Sequence, residues 1–423
     1  MAAEERRAGD VKLTDRELVF KYGYPAMEVP FSIGEYKVRL RMVQAAMAER
    51  GIDVLLAMAP ESMFYLSGYQ NEWYQAQSPK DWIPWSGVAV HVDRDDFILF
   101  DNLGEAILCR FQTVATDARF FDRKSASPIE SIVNELKGDG WLPGTVALEM
   151  RSYRPNRIVS EKYQAAFEDA GCTVVDGTDI MRDVRLIKSP LELAYMESAA
   201  RIADIGLQAA RDTIEAGVTE LEVYGEIIRA MAKAGGENPG ITLPVLSGLK
   251  STNGHALASR KQILPGEMVF VDVCGVYNRY HVNIARNFSV GEPHLEVQEK
   301  FDKAAGVFDI ITDILKPRME VEVLNDAVQS YYEEVGIWED RGYIGGYELG
   351  ISFPPDWVGE FNYGPHVPSE GQFFRPGMVV NHESQFFMPL NVGYHMQIDS
   401  LIFTENEARL MGTTPRELMV VGS

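Results

Sequence analysis

The chain has 423 residues, 46% of them apolar, which is too long for one hydrophobic core and enough to fill two. Its 62 acidic residues against 40 basic ones give a formal net charge of −22, excluding the basic surface that nucleic-acid binding needs and favouring a cationic or zwitterionic small molecule as partner. Cys109, Cys172 and Cys274 lack metal-type spacing and fit a reducing, cytoplasmic setting, while no signal-type apolar core and no run of roughly 18 apolar residues points to a membrane.

In chain order, the pattern over Glu35–Glu49 predicts a helix, and the apolar runs Val54–Met58, Gly87–His91 and Asp96–Phe100 predict strands of a covered sheet. These elements make residues 1–184 an alternating α/β domain. Trp73, Tyr74, Trp82 and Trp85 crowd one stretch after Tyr65-Leu-Ser-Gly-Tyr69. Such density fits either a cation-binding pocket, with Trp73 as the candidate contact, or core and interface packing. Ser189, Pro190 and Glu192 have capping-box spacing with proline at the first helical position, so a boundary near 185 and a long helix to about Glu215 are expected. Thr219 and Glu222 repeat the spacing and open a second helix, stopped near Gly235-Gly236. From Ile241 the pattern is mixed strand and turn with a helical insert near 295–335, giving an α+β domain over 185–423.

Three residues of the second domain, singled out by the resemblance given below, can also be read from their neighbours. Glu383 is flanked by Met378-Val-Val380 and Phe386-Phe387, surroundings that desolvate a carboxylate, raise its pKa and suit it to proton transfer near neutral pH. The alternative is a structural carboxylate satisfied by backbone donors. His255 follows an Asn-Gly turn in Ser251-Thr-Asn-Gly-His255, the ordinary place for a solvated loop histidine. Asp272 shares a strand face with Met268 and Phe270 and needs a partner if buried. His281, Arg286 or a cationic nitrogen of the substrate are the candidates.

The segment Gly266-Glu-Met-Val-Phe-Val-Asp-Val-Cys-Gly275, with Tyr277-Asn-Arg-Tyr-His-Val-Asn-Ile-Ala-Arg-Asn-Phe288, resembles the metal-site strands of creatinase, aminopeptidase P and methionine aminopeptidase, the pita-bread family. Ile187–Asp204 is similar to that family's helix at the domain boundary, so the resemblance covers nearly the whole chain. It implies an α/β N-terminal domain joined to a pita-bread α+β catalytic domain, and a homodimer. It also implies five metal-ligand positions, of which this chain keeps Asp272 and Glu383. Asn283 replaces the second aspartate, Tyr347 in Gly346-Tyr-Glu-Leu-Gly-Ile351 replaces the histidine, and the last glutamate falls at Ile398, or at Gln397 after a one-residue slip. A neutral amide, a phenol and an aliphatic chain are poor ligands for a divalent transition metal.

The resemblance to the creatinase branch makes His255 the expected acid/base and Glu383 the carboxylate that activates water or holds the substrate, with Asp272, His281, Asn283, Tyr347 and Trp73 around the substrate. Tyr347 either orients the substrate or packs beneath Phe353 and Trp357, and Arg286 is expected to brace the sheet. Phe353-Pro-Pro-Asp-Trp357 is similar to ectoine hydrolases. The expected activity is a metal-independent hydrolysis of a C–N bond in a small nitrogenous compound, without cofactor. Three alternatives stand beside it. They are a metal-dependent Xaa-Pro peptidase, in which His281, His382 or His395 supplies a new ligand; a lyase acting on an osmolyte such as dimethylsulfoniopropionate; and a catalytically silent binding protein.

Overall fold

The computed structural model describes residues 28–72, 74, 86–122 and 127–422, with the backbone of 5–8 and 11–14. Trp73, Trp82 and Trp85 lie outside the described residues. The chain divides into two compact units, Met1–Val184 and Arg185–Ser423.

The first unit holds a short antiparallel ribbon, β1 (Glu5–Ala8) and β2 (Val11–Thr14), and then α1 (Ile33–Glu49), β3 (Val54–Ala57), α2 (Pro60–Ser67), β4 (Gly87–His91), β5 (Phe97–Asn102), β6 (Asp117–Phe121), α3 (Pro128–Gly138), β7 (Thr145–Leu148), α4 (Arg157–Asp169) and β8 (Thr173–Asp176). Its sheet runs β6-β5-β4-β3-β7-β8. All four residues of β3 are buried, as a strand covered on both faces requires. Leu56, Phe100, Ile132, Trp141 and Phe167 pack its core. The third strand begins at Phe97 and continues to Asn102, two residues past the apolar run, because Asp101 is buried with its carboxylate accepting from Tyr69 and Ser86 at 2.6 and 2.9 Å. Tyr65 and Tyr69 are thereby packing residues, Tyr65 lying under the Arg39 guanidinium.

Across the division comes α5 (Thr178–Leu186), and the second unit opens on α6 (Pro190–Thr213) and α7 (Glu220–Lys233). Both carry reciprocal capping boxes, Ser189 with Glu192 and Thr219 with Glu222. Helix α6 stops at Thr213, short of Glu215, because Ile214 turns extended and buries its side chain. The strands are β9 (Val245–Ser247), β10 (Met268–Tyr277), β11 (Tyr280–Val290), β12 (Arg341–Tyr347), β13 (Asn362–Tyr363), β14 (Val379–Phe387), β15 (Tyr394–Phe403), β16 (Ala408–Leu410) and β17 (Met419–Val421). The insert near 295–335 is three helices, α8 (Leu295–Ala305), α9 (Val307–Ile314) and α10 (Val321–Glu334), broken at Gly306 and at Pro317-Arg318.

The main path of this sheet is β13-β12-β14-β15-β11-β10-β9. Helices cover one face. A Cβ on Gly275 would lie 2.0 Å from the Ala199 carbonyl oxygen, so glycine is what lets α6 approach β10 this closely. Phe308 of α9 and Tyr332 of α10 pack with Val380, Phe386 and Leu401 on the same side of β14 and β15. Since side chains alternate along a strand, the residues between these, Asp272, Asn283, Asn381, Glu383 and Ile398, point to the opposite face.

Candidate functional site

Register places one row of residues side by side across five strands. Asp272 of β10 faces Ala285 of β11, Ala285 faces Ile398 of β15, Ile398 faces Glu383 of β14, and Glu383 faces Gly345 of β12. The pairing of Glu383 with Ile398 decides which residue holds the last ligand position. It is Ile398, while Gln397 points to the helix side and its carbonyl oxygen meets the His395 ring at 3.3 Å.

Asp272 and Glu383 are 7% and 8% exposed and stand three strands apart. Two amides close the gap between them. Asn283 donates its Nδ2 hydrogen to Asp272 at 2.5 Å, and its Oδ1 accepts from Asn381 Nδ2 at 3.1 Å. Asn381 Nδ2 also donates to Glu383 Oε1 at 3.0 Å, and Gln385 Nε2 donates to Oε2 at 2.9 Å. The backbone N–H of Tyr347 fixes the Asn381 side chain through its Oδ1 at 2.8 Å. Asn381 was not foreseen in the sequence. Its available signal was position, since Asn381 and Gln385 lie two residues either side of Glu383 and so share its strand face.

Burial raises the pKa of both carboxyls. Asp272 is pushed up to about 8, first by desolvation and then by the nearby Glu383 charge, with the Asn283 donor only partly offsetting them. Glu383 is raised by desolvation against the lowering donors Gln385, Tyr347 and Asn381. Near neutral pH the row therefore holds a protonated carboxyl at Asp272, beside Glu383, whose rise on burial is countered by its three donors.

Asp272 takes Asn283 as its partner, not His281 or Arg286. His281 Nδ1 meets the Arg279 carbonyl and its Nε2 accepts the Gly240 N–H, both at 2.9 Å, and burial lowers its pKa well below the usual value. Both ring nitrogens are engaged by backbone, which corrects the expectation that His281 contacts substrate through them. Arg286 is the expected brace, donating to the carbonyls of Ala285, Ile398, Thr414 and Pro415 and pairing with Asp399 at 2.8 Å. Tyr347 packs and faces the site at once: its phenol oxygen accepts the Trp357 indole N–H at 3.1 Å, and its side chain works against the rise that burial gives the Glu383 pKa.

His255 is exposed, on the loop after β9, and among the described residues no hydrogen bond joins it to Asp272 or Glu383. Its neighbour Ala256 packs against Leu246, Phe270, Ala285, Tyr394, Met396 and Ile398. The loop therefore borders the apolar cluster that contains Ala285 and Ile398 of the row.

The donor set does not fit a divalent metal pair. Asn283 turns its N–H toward Asp272 and spends its oxygen on Asn381, Ile398 offers no donor atom, and among the described residues no three His, Cys, Asp or Glu side chains are grouped to hold an ion. His382 and His395 are buried on the helix side, with pKa values lowered by burial to about 3 and about 4, so neither supplies a replacement ligand on the site face.

Residues 194–406 match the model of metallopeptidase family M24 and residues 39–187 that of the creatinase/prolidase N-terminal domain. The chain belongs to the M24 family and is a hydrolase of that family. It is 26% identical to the Xaa-Pro dipeptidase of Pyrococcus furiosus over 90% of this chain and 100% of that one. It is 27% identical to the ectoine hydrolase of Halomonas elongata, over 93% and 99%. The solved Xaa-Pro dipeptidase of Bacillus anthracis superposes with a TM-score of 0.76 at 22% identity, covering 91% of this chain and all of that one. The creatinase-type N-terminal domain and pita-bread C-terminal domain follow. Among the described residues no helix is long and apolar enough to cross a membrane.

Proposed function

We propose that this hydrolase cleaves a C–N bond of a small nitrogenous compound without a metal ion. The observation that carries the reading is the amide bridge, in which Asn283 and Asn381 connect the two surviving carboxyls through hydrogen bonds. Amide donors do for Asp272 and Glu383 what cations do for clustered carboxylates, offsetting their repulsion and fixing their orientation.

In this reading Glu383 takes a proton from the attacking water. Asp272, protonated near neutral pH, donates a hydrogen bond to the acceptor atom of the scissile group as negative charge develops there. His255, on its bordering loop, gives the proton to the leaving nitrogen. Ala285 and Ile398 form an apolar floor for the body of the substrate. Extensive similarity to an ectoine hydrolase supports a small cyclic or acylated nitrogen compound, cationic or zwitterionic. The reading also takes the enzyme to be a cytoplasmic homodimer, which sedimentation of the purified protein tests.

Similarity of equal extent to a Xaa-Pro dipeptidase supports a second reading, a metal-dependent peptidase. Elemental analysis of the protein after chelator treatment, with turnover of small amidines, lactams and N-acyl amino acids followed beside Xaa-Pro dipeptides, separates the two. Chelator-resistant cleavage of a non-peptide compound by metal-free protein is expected. Stoichiometric metal with chelator-sensitive dipeptide cleavage overturns the proposal.

A further inference from the structure

The residues around His255 carry a charged network that none of the steps above uses. Glu220, at the start of α7, is 0% exposed. Its carboxylate accepts from the Ser247 N–H and hydroxyl at 2.9 and 3.0 Å, from the Ser259 N–H and hydroxyl at 3.0 Å each, and from Lys250 Nζ at 2.5 Å. One carboxylate thus gathers both ends of the loop between residues 247 and 259, and His255 is in that loop. Lys250 staples the loop from within, donating to the Leu257 carbonyl at 2.6 Å and the Ser259 hydroxyl at 2.9 Å. Lys261 ties Ser247 to Glu267, at 2.8 and 2.7 Å. Ser251 joins the loop to the sheet, its hydroxyl accepting the Tyr394 N–H at 2.9 Å.

A buried carboxylate with this many donors is costly to assemble, and burial alone would raise its pKa. The donors Lys250 and Ser247 outweigh burial and hold Glu220 below the usual carboxylate value. A plain surface turn needs none of this. Backbone hydrogen bonds already join the loop's outer end to α7, from Glu220 to Lys261 and from Leu221 to Ser259. The added network restrains the eleven residues between, where His255 itself is exposed and, among the described residues, has only a local bond to Asn253.

We infer that Glu220 and Lys250 are positioning residues, forming a clamp that fixes loop 248–258 so that His255 is held beside the Asp272–Glu383 row. The inference rests on the reading of His255 as the proton donor. A floating imidazole would have to find its geometry in every turnover, and misplacement of a catalytic group by about 1 Å costs on the order of 100-fold in rate.

The test compares the full-length protein with Lys250→Met, which keeps the aliphatic stem, and with Ser259→Ala as a milder second variant. Hydrogen exchange of the peptide spanning 248–258 is measured without ligand, and kcat and KM on the C–N compound that the wild type turns over. In Lys250→Met, exchange in the loop is expected to rise about tenfold or more while β10 and β11 keep their protection. There kcat falls on the order of 100-fold with KM little changed. The double variant Lys250→Met/His255→Ala is expected to be no slower than His255→Ala alone, as a residue acting through His255 requires. Unchanged exchange in both variants overturns the clamp, and raised exchange with full kcat overturns its positioning role. Full activity in His255→Ala overturns the assignment of the acid instead, and the exchange result then still decides whether the clamp exists.

Discussion

Asparagine at position 272 is expected to make the protein more stable in alkaline solution. Asp272 is buried, receives one hydrogen bond from Asn283 and feels the charge of Glu383, which together raise its pKa from 3.8 to about 8. The folded state therefore binds this proton more tightly than the unfolded chain. The stability that the bound proton provides is complete below the unfolded value and is lost as pH rises through the folded one, so the window runs from about pH 4 to about pH 8. At 1.36 kcal/mol for each tenfold change in proton affinity, the full effect is on the order of 5 kcal/mol. Relaxation around the ionised group and its coupling to Glu383 reduce this, and we take about 2 kcal/mol as the least that survives.

The Asp272→Asn side chain keeps Oδ1 as acceptor for Asn283 and cannot ionise. Wild type and variant should have similar stability near pH 4.5 and diverge as pH rises, the variant gaining about 4 to 8 °C in Tm by pH 8.5. Thermal unfolding followed by circular dichroism at closely spaced pH values, with chelator present throughout, measures the difference directly. Parallel curves would refute the reasoning, because they would mean that Asp272 is ionised in the folded protein and is balanced by a cation.

Three other substitutions probe the same sheet, two on the site face and one, Arg286, on the helix side. Glu383→Gln should retain the fold and lose on the order of 100- to 10,000-fold in kcat, the range for removal of a general base; circular dichroism and steady-state kinetics check both halves. Ile398→Glu places a carboxyl among Leu246, Phe270, Ala285 and Met396, and urea unfolding at pH 8 should show a loss of about 3 kcal/mol or more, smaller at pH 5 where the new group is protonated. Arg286→Met leaves Asp399, which is 0% exposed, with Arg416 as its remaining cation, and should cost about 3 to 5 kcal/mol in the same assay.

Features set by local chemistry were legible in the sequence. Both capping boxes are such features, because three residues decide each of them. Asp272 and Glu383 were picked out by the resemblance to the family's strands, with their apolar neighbours pointing to burial, whereas what joins them depends on register between strands far apart in the chain. Nothing near position 283 says that an amide from position 381 will reach it. Likewise the choice between Ile398 and Gln397 turns on which residue faces Glu383 across the ladder, and a one-residue slip exchanges the two faces. His281 was drawn into the pocket by its place on the strand, two residues before Asn283. The acceptor that engages it, the Arg279 carbonyl, belongs to the turn before β11, and the Gly240 N–H comes from the segment after α7.

The departures from the family pattern are physically linked to one another. Removing cations from a cluster of buried carboxylates leaves repulsion that the low-dielectric interior does not screen. The cluster stays folded only if negative charge leaves with the cations or protons take their place. Both changes are present here. Asn283 and Ile398 stand where the family resemblance implies acidic ligands, Asp272 holds a proton near neutral pH, and Glu383 keeps two amide donors. Tyr347, in the histidine position, adds a phenol that favours the ionised form of Glu383. Restoring one acidic ligand alone should therefore destabilise the site, since it returns charge without the ion that balances it.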